Sequence, residues 1–258
     1  MHMQEEILKK LDIEYSYQLA RRMEKFRSNE VLGYRPAGSK AEFETGEMLY
    51  REMKAIGLSD VCKDAVTVDG WEFKKAVMVV ETDQQRFEFQ LGAYQTNFKT
   101  DGLKIFTGLS GKRNGKRLRR HDVEGKLVLA DINQRDEWWI NYPVYQAHLK
   151  GAKALIAVQD GGYAEIDSEA LNAQDIAGPS DAPAFSISRK DAVILKNLLK
   201  DKEELEVFFD ADSRVYRDCT TYNIRGCIPG KHPERMVLLS AHYDSYFSGF
   251  QDDNTAVA

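Results

Sequence analysis

Cysteine and proline are scarce in this sequence, at three and six of 258 residues, and no apolar run approaches the roughly 18 residues that a membrane-spanning helix requires. No membrane partner is therefore expected. Cys62, Cys219 and Cys227 are odd in number and contain no C-x-x-C pair, so neither a disulfide framework nor a thiolate zinc site is indicated. Read as reduced thiols, they place the chain in the cytoplasm; a secreted chain stripped of its leader would have the same composition, so that setting stays open. The opening stretch, MHMQEEILKKLDIEYSYQ, lacks the basic and then apolar regions of a secretory signal. Positive charge is also lacking. The formal net charge is -5, which argues against a general nucleic-acid binder. The one dense basic run, GKRNGKRLRRH over residues 111–121, carries two glycines and reads as a solvated turn. Small or peptidic partners fit this balance better, and self-association into a homo-oligomer stays open.

What is present is a globular composition, with 43% hydrophobic and 30% charged residues. Leu8, Leu11, Tyr15, Leu19, Met23 and Phe26 recur at three or four residues and predict an amphipathic helix over Glu5–Phe26. After the breaker GYRPAGS, Ser39 and Glu42 form a capping box, and Phe43, Met48, Leu49 and Met53 predict a second helix ending near Gly57. Residues Val61–Val80 alternate as a strand does. In the middle of the chain, GKLVLADI, EWWINYPVYQAHLKG and AKALIAV read as a strand, a helix and a strand, and DAPAFSISRKDAVILKNLL adds another strand and helix. Trp138 and Trp139 either pack against these strands or line a groove. Strand patterns return after Asp212, in TTYNIRGCIPG and ERMVLLSAHYD. The run Met236–Leu239 is apolar on both faces, as in a buried parallel strand.

Directly after that run comes SAHYDSYFSGFQDDNTAVA. In an extended chain the side chains at i and i+2 point the same way, about 6.6 Å apart, so His242 and Asp244 can converge on one site. In open α/β sheets ligands gather at the carboxyl ends of strands. Asp252 and Asp253 precede a helix start. Imidazole nitrogen and carboxylate oxygen are ordinary Zn²⁺ ligands, and Asp244 is placed to orient the histidine from behind. The same residues also suit a strand-end histidine, a turn aspartate and an N-cap pair, so spacing alone leaves metal binding open.

SAHYDS, then Gly249, then DDNTAVA resembles the first metal motif of the zinc-dependent exopeptidases that include bacterial aminopeptidases and the glutamate carboxypeptidase group. LGYRPAGSKAEFETGEMLYREMKAIGL is similar to the amino-terminal arginine-glycine loop and following helix of that family. VEGKLVLADI, HLKGAKALIAV and DAPAFSISRKDAVIL resemble the protease-associated domain that many of its members carry as an insertion. Thr255 and Ala256 stand where serine and glycine are usual.

The resemblance implies an α/β fold with a three-layer sheet, incomplete here, and a β-rich insert. The peptidase part would span residues 1–68 and 212–258, with the protease-associated insert at 69–211. It implies two zinc ions, with His242 a ligand of one, Asp252 the bridge between both, and Asp244 the catalytic-site partner of the histidine. It also implies a zinc-activated water acting on peptide substrates, as in an aminopeptidase. The Glu-Glu pair, further Asp and final His of such a site would lie after Ala258, so the chain is expected to be an amino-terminal fragment and inactive alone. A metal-free receptor with the same fold and a different metallohydrolase are the rival readings.

Overall fold

The computed structural model describes residues 6, 8–93, 95–109, 123–132, 141–159, 167–171, 181–200, 202, 204–232 and 234–258. The basic run 111–121, His2, Trp138 and Trp139 lie outside the described residues. The chain divides into two compact units, Met1–Gly70 with Tyr216–Ala258, and Trp71–Val215.

In the first unit, helix α1 spans Ile13–Met23. It starts later than its periodicity predicts, because the Asp12 side chain accepts from the Tyr15 amide and caps it there. Leu8 and Leu11 accordingly lie outside it and are exposed, while Leu19, Ala20 and Met23 are buried. Helix α2, Lys40–Ala55, begins at Ser39, whose hydroxyl accepts from the Glu42 amide at 3.1 Å. The reciprocal half of the capping box is displaced: Glu42 accepts from the Gly38 amide and, at 2.7 Å, from the Thr221 hydroxyl. The buried face of α2 is also not the aromatic one. Phe43 is 43% exposed, whereas Ala41, Thr45 and Leu49 are buried. Gly46 explains the choice, since a Cβ there would lie 3.1 Å from the Tyr243 hydroxyl and 3.3 Å from Ile224 Cδ1, so the helix packs through its small residues. Leu19, Met23 and Leu49 form the core, flanked by Met48, Ile224, Tyr243 and Val257.

Two 23-residue strands, β1 (Ser59–Glu81) and β9 (Leu205–Cys227), pass from one unit into the other. In the second unit they join β2 (Arg86–Gln90), β3 (Gly92–Ala93), β4 (Phe98–Lys99), β5 (Leu103–Leu109), β6 (Leu127–Ile132), β7 (Ala154–Gln159) and β8 (Ala184–Ile187). The order is β2-β1-β9-β5-β6-β7-β8-β3, with β4 on β9. Strands β5 to β8 are parallel, and the β1–β2, β3–β8, β4–β9 and β5–β9 pairs are antiparallel. Helix α3 (Asn141–Leu149) connects β6 to β7 as the βαβ pattern predicts, and α4 (Arg189–Leu198), capped by Ser188, follows β8. Every residue of β7 and β8 is buried, which is why both read as continuous apolar runs. Phe98, Phe185 and Phe209 pack edge-on and tilted against one another in this core, and the Trp71 indole donates to Ser213 Oγ at 2.9 Å.

One expected element differs. Met236, Val237, Leu238 and Leu239 are 77–90% exposed and have no ladder partner among the described residues. A parallel strand is buried only when neighbours pair with both edges and helices cover both faces. None of the described strands of this unit does so.

Candidate metal centre

The site is built from the last two turns of the first unit. Arg35 and Ser245 pair as an isolated antiparallel bridge, with amide-to-carbonyl distances of 2.8 and 2.9 Å. The Tyr34 amide donates to the Phe247 carbonyl at 2.8 Å, and the two rings pack tilted by 41° with centroids 4.8 Å apart. The loop that follows α1 therefore pins the segment that follows His242. The chain then reverses at Gly249, φ +62°, where a Cβ would stand 2.2 Å from that of Ser245. A turn over Phe250–Asn254, in which the Asp252–Asp253 peptide is cis, leads into the short helix α5, Thr255–Val257.

That reversal brings the acidic pair back to the imidazole. His242 Nε2 lies 3.1 Å from Asp252 Oδ1 and 3.7 Å from Asp253 Oδ2. On the other side of the ring, Nδ1 lies 3.1 Å from Asp244 Oδ1 and 3.2 Å from the Asp244 carbonyl. All three sequence-derived residues, His242, Asp244 and Asp252, thus meet, and Asp253 joins them. With Nδ1–H donated to Asp244, the Nε2 lone pair faces Asp252 and Asp253, the tautomer that a metal-binding imidazole needs. Burial of the ring opposes its protonation, but Asp244 first, then its carbonyl, Asp253 and Asp252 outweigh this and raise the His242 pKa. One His nitrogen and two carboxylate oxygens lie within 4.8 Å of one another, the one group of this kind among the described residues. This donor set fits Zn²⁺.

Beneath the donors is a buried polar layer that the pattern of the sequence did not expose. Arg35, 1% exposed, donates from Nε to the Tyr243 carbonyl at 2.7 Å, from Nη1 to the Met23 carbonyl at 2.6 Å, and from Nη2 to Asn254 Oδ1. Burial pulls its guanidinium down to about 10, against the upward pull of Asp244, Glu42 and Glu24. The Tyr243 hydroxyl, raised by burial and by Glu42, donates to the Tyr222 carbonyl at 2.8 Å. The sequence signal for Arg35 is its place in the arginine-glycine loop GYRPAGS, directly ahead of a capped helix.

No protein-family model matches the chain. Among curated proteins it is 23% identical over 229 residues to carboxypeptidase Q of Rattus norvegicus and 25% identical over 234 residues to that of Bos taurus. Each alignment takes in 85% of this chain and 48% of the relative, so the chain spans about half the length of the curated relatives it matches. Among solved structures, a peptidase M28 precursor from Shewanella amazonensis superposes with a TM-score of 0.69 at 20% identity, over 93% of this chain and 56% of that one. A zinc aminopeptidase from Bacillus subtilis superposes with a TM-score of 0.58 at 19% identity, over 93% and 55%. In sequence the chain is similar to proteins named carboxypeptidase Q, and in fold to a peptidase M28 precursor and a zinc aminopeptidase.

Proposed function

We propose that this chain carries the first half of a co-catalytic zinc centre in a metallo-exopeptidase that removes amino-terminal residues from peptides. The observation that carries the reading is the convergence of Asp252 and Asp253 on one nitrogen of His242 while Asp244 holds the other. In this reading His242 and Asp252 would hold the zinc, with Asp252 shared between two ions, and Asp244 would orient the imidazole. Bound zinc would supply an acidified water and polarise the scissile carbonyl. The chain's own part is to hold one imidazole in the correct tautomer and to present carboxylate oxygens on the same side of the ring. The second unit, Trp71–Val215, with its mixed sheet, is proposed to be a protease-associated insert. The similarity to proteins named carboxypeptidase, peptidase M28 and zinc aminopeptidase supports the class.

The test is hydrolysis of aminoacyl-nitroanilides and dipeptides by a zinc-loaded enzyme that contains this chain together with the remaining ligands of such a centre, beside substrates with a blocked amine; the 258-residue chain alone is expected to be inactive. Turnover of free-amine substrates that is lost on chelation and restored by Zn²⁺ is expected. Turnover that survives chelation, or that is confined to amine-blocked peptides, would refute it.

A further inference from the structure

Arg35 lies behind the donor cluster, and its three bonds go to three separate stretches of chain: the end of α1, the peptide between His242 and Asp244, and the residue after Asp253. Its own backbone pairs with Ser245 as well. The Asn254 side chain, fully buried, is held from the far side by the Ala20 carbonyl at 3.5 Å. The two segments that carry the donors, 242–244 and 252–253, are therefore both anchored to a single planar group, whose donor directions are set by its own covalent geometry.

We propose that Arg35 is a positioning residue of the metal centre, fixing the separation of the His242 segment from the Asp252–Asp253 turn. The inference rests on the zinc reading above. All three acceptors of the guanidinium are neutral oxygens, two backbone carbonyls and one side-chain amide, so it does not neutralise a ligand directly. This separates two roles by sign. A buried cation near a metal site weakens cation binding through Coulomb repulsion, so if charge were its main effect, its removal would tighten zinc. If Arg35 acts by geometry, its removal loosens zinc, because the donors lose their common anchor.

The experiment compares wild type, Arg35→Met, Arg35→Lys and Asn254→Ala in the full chain. Competitive titration gives Zn²⁺ affinity, visible absorption of the Co²⁺-substituted protein reports donor geometry, and thermal melting of the metal-free form reports folding. Arg35→Met is expected to weaken zinc about tenfold to a hundredfold and to alter the Co²⁺ bands, as loss of an outer support of a metal site does. Arg35→Lys should recover part of both, since it keeps the charge and one contact. Asn254→Ala keeps the charge and removes one acceptor, and it should shift affinity and bands in the same direction as Arg35→Met. Affinity equal to or tighter than wild type, with unchanged bands, in folded Arg35→Met would overturn the proposal. If that variant does not fold, wild-type affinity and bands in Asn254→Ala would overturn it instead. Failure of wild-type protein to bind Co²⁺ would overturn the zinc reading and this inference with it, a result distinct from either variant's.

Discussion

His242 Nε2 and Asp252 Oδ1 stand 3.1 Å apart across a loop that is closed by Gly249 and backed by the Arg35–Ser245 bridge. The Asp252 side chain is 74% exposed, so it contributes to the donor set without supporting the core. Asp252→Ala should therefore melt within about 0.5 kcal/mol of wild type in the metal-free form. It should lose the stabilisation that added zinc gives the wild type. Melting with and without Zn²⁺, together with metal content after dialysis, checks both halves.

Gly249 is the turn on which that approach depends. Alanine there would have to adopt φ +62° and place its Cβ 2.2 Å from Ser245 Cβ and 2.4 Å from Ser245 Oγ. Strain and overpacking together predict a loss of about 1–3 kcal/mol in Gly249→Ala, measured by urea unfolding. An unchanged midpoint would mean that the loop relaxes freely.

Acid should release α1 from α2. Glu52 accepts from the Tyr15 hydroxyl at 2.7 Å and pairs with Arg22 at 2.9 Å. The Tyr15 bond chiefly, and Arg22 after it, hold its carboxyl below the ordinary value of 4.5, against the opposing effect of burial. A depressed carboxylate stabilises the fold above its unfolded pKa, and that contribution fades as pH falls through the folded pKa. Glu52→Gln should thus be less stable than wild type at pH 7, by about 0.2–1 kcal/mol, and equal to it well below pH 4. Unfolding curves of both proteins from pH 7 to 3 test the convergence.

The exposed run Met236–Leu239 offers apolar side chains and backbone groups without a ladder partner among the described residues, a template for self-association. Leu238, 77% exposed, can be replaced by serine with a stability change within about 0.5 kcal/mol. The 258-residue chain is expected to elute as concentration-dependent oligomers, and Leu238→Ser to shift that equilibrium toward monomer. Light scattering across a dilution series distinguishes the two.

Much of the candidate centre is legible along the chain because it is local. His242 and Asp244 share a side by the two-residue period of extended backbone, and the interval to Asp252 contains the glycine that turns the chain back. The β6–α3–β7 unit and the Ser39 cap of α2 are legible for the same reason: each depends on residues a few positions apart. Tertiary structure alone decided the rest. The Arg35 contacts to Tyr243 and Asn254 span 208 and 219 residues, and no periodicity encodes a pairing across such distances. The buried face of α2 was set by what it meets, Tyr243 and Ile224, which favoured glycine and alanine over phenylalanine. An apolar run such as Met236–Leu239 records a preference for burial, while the burial itself depends on whether another strand and helix come to cover it.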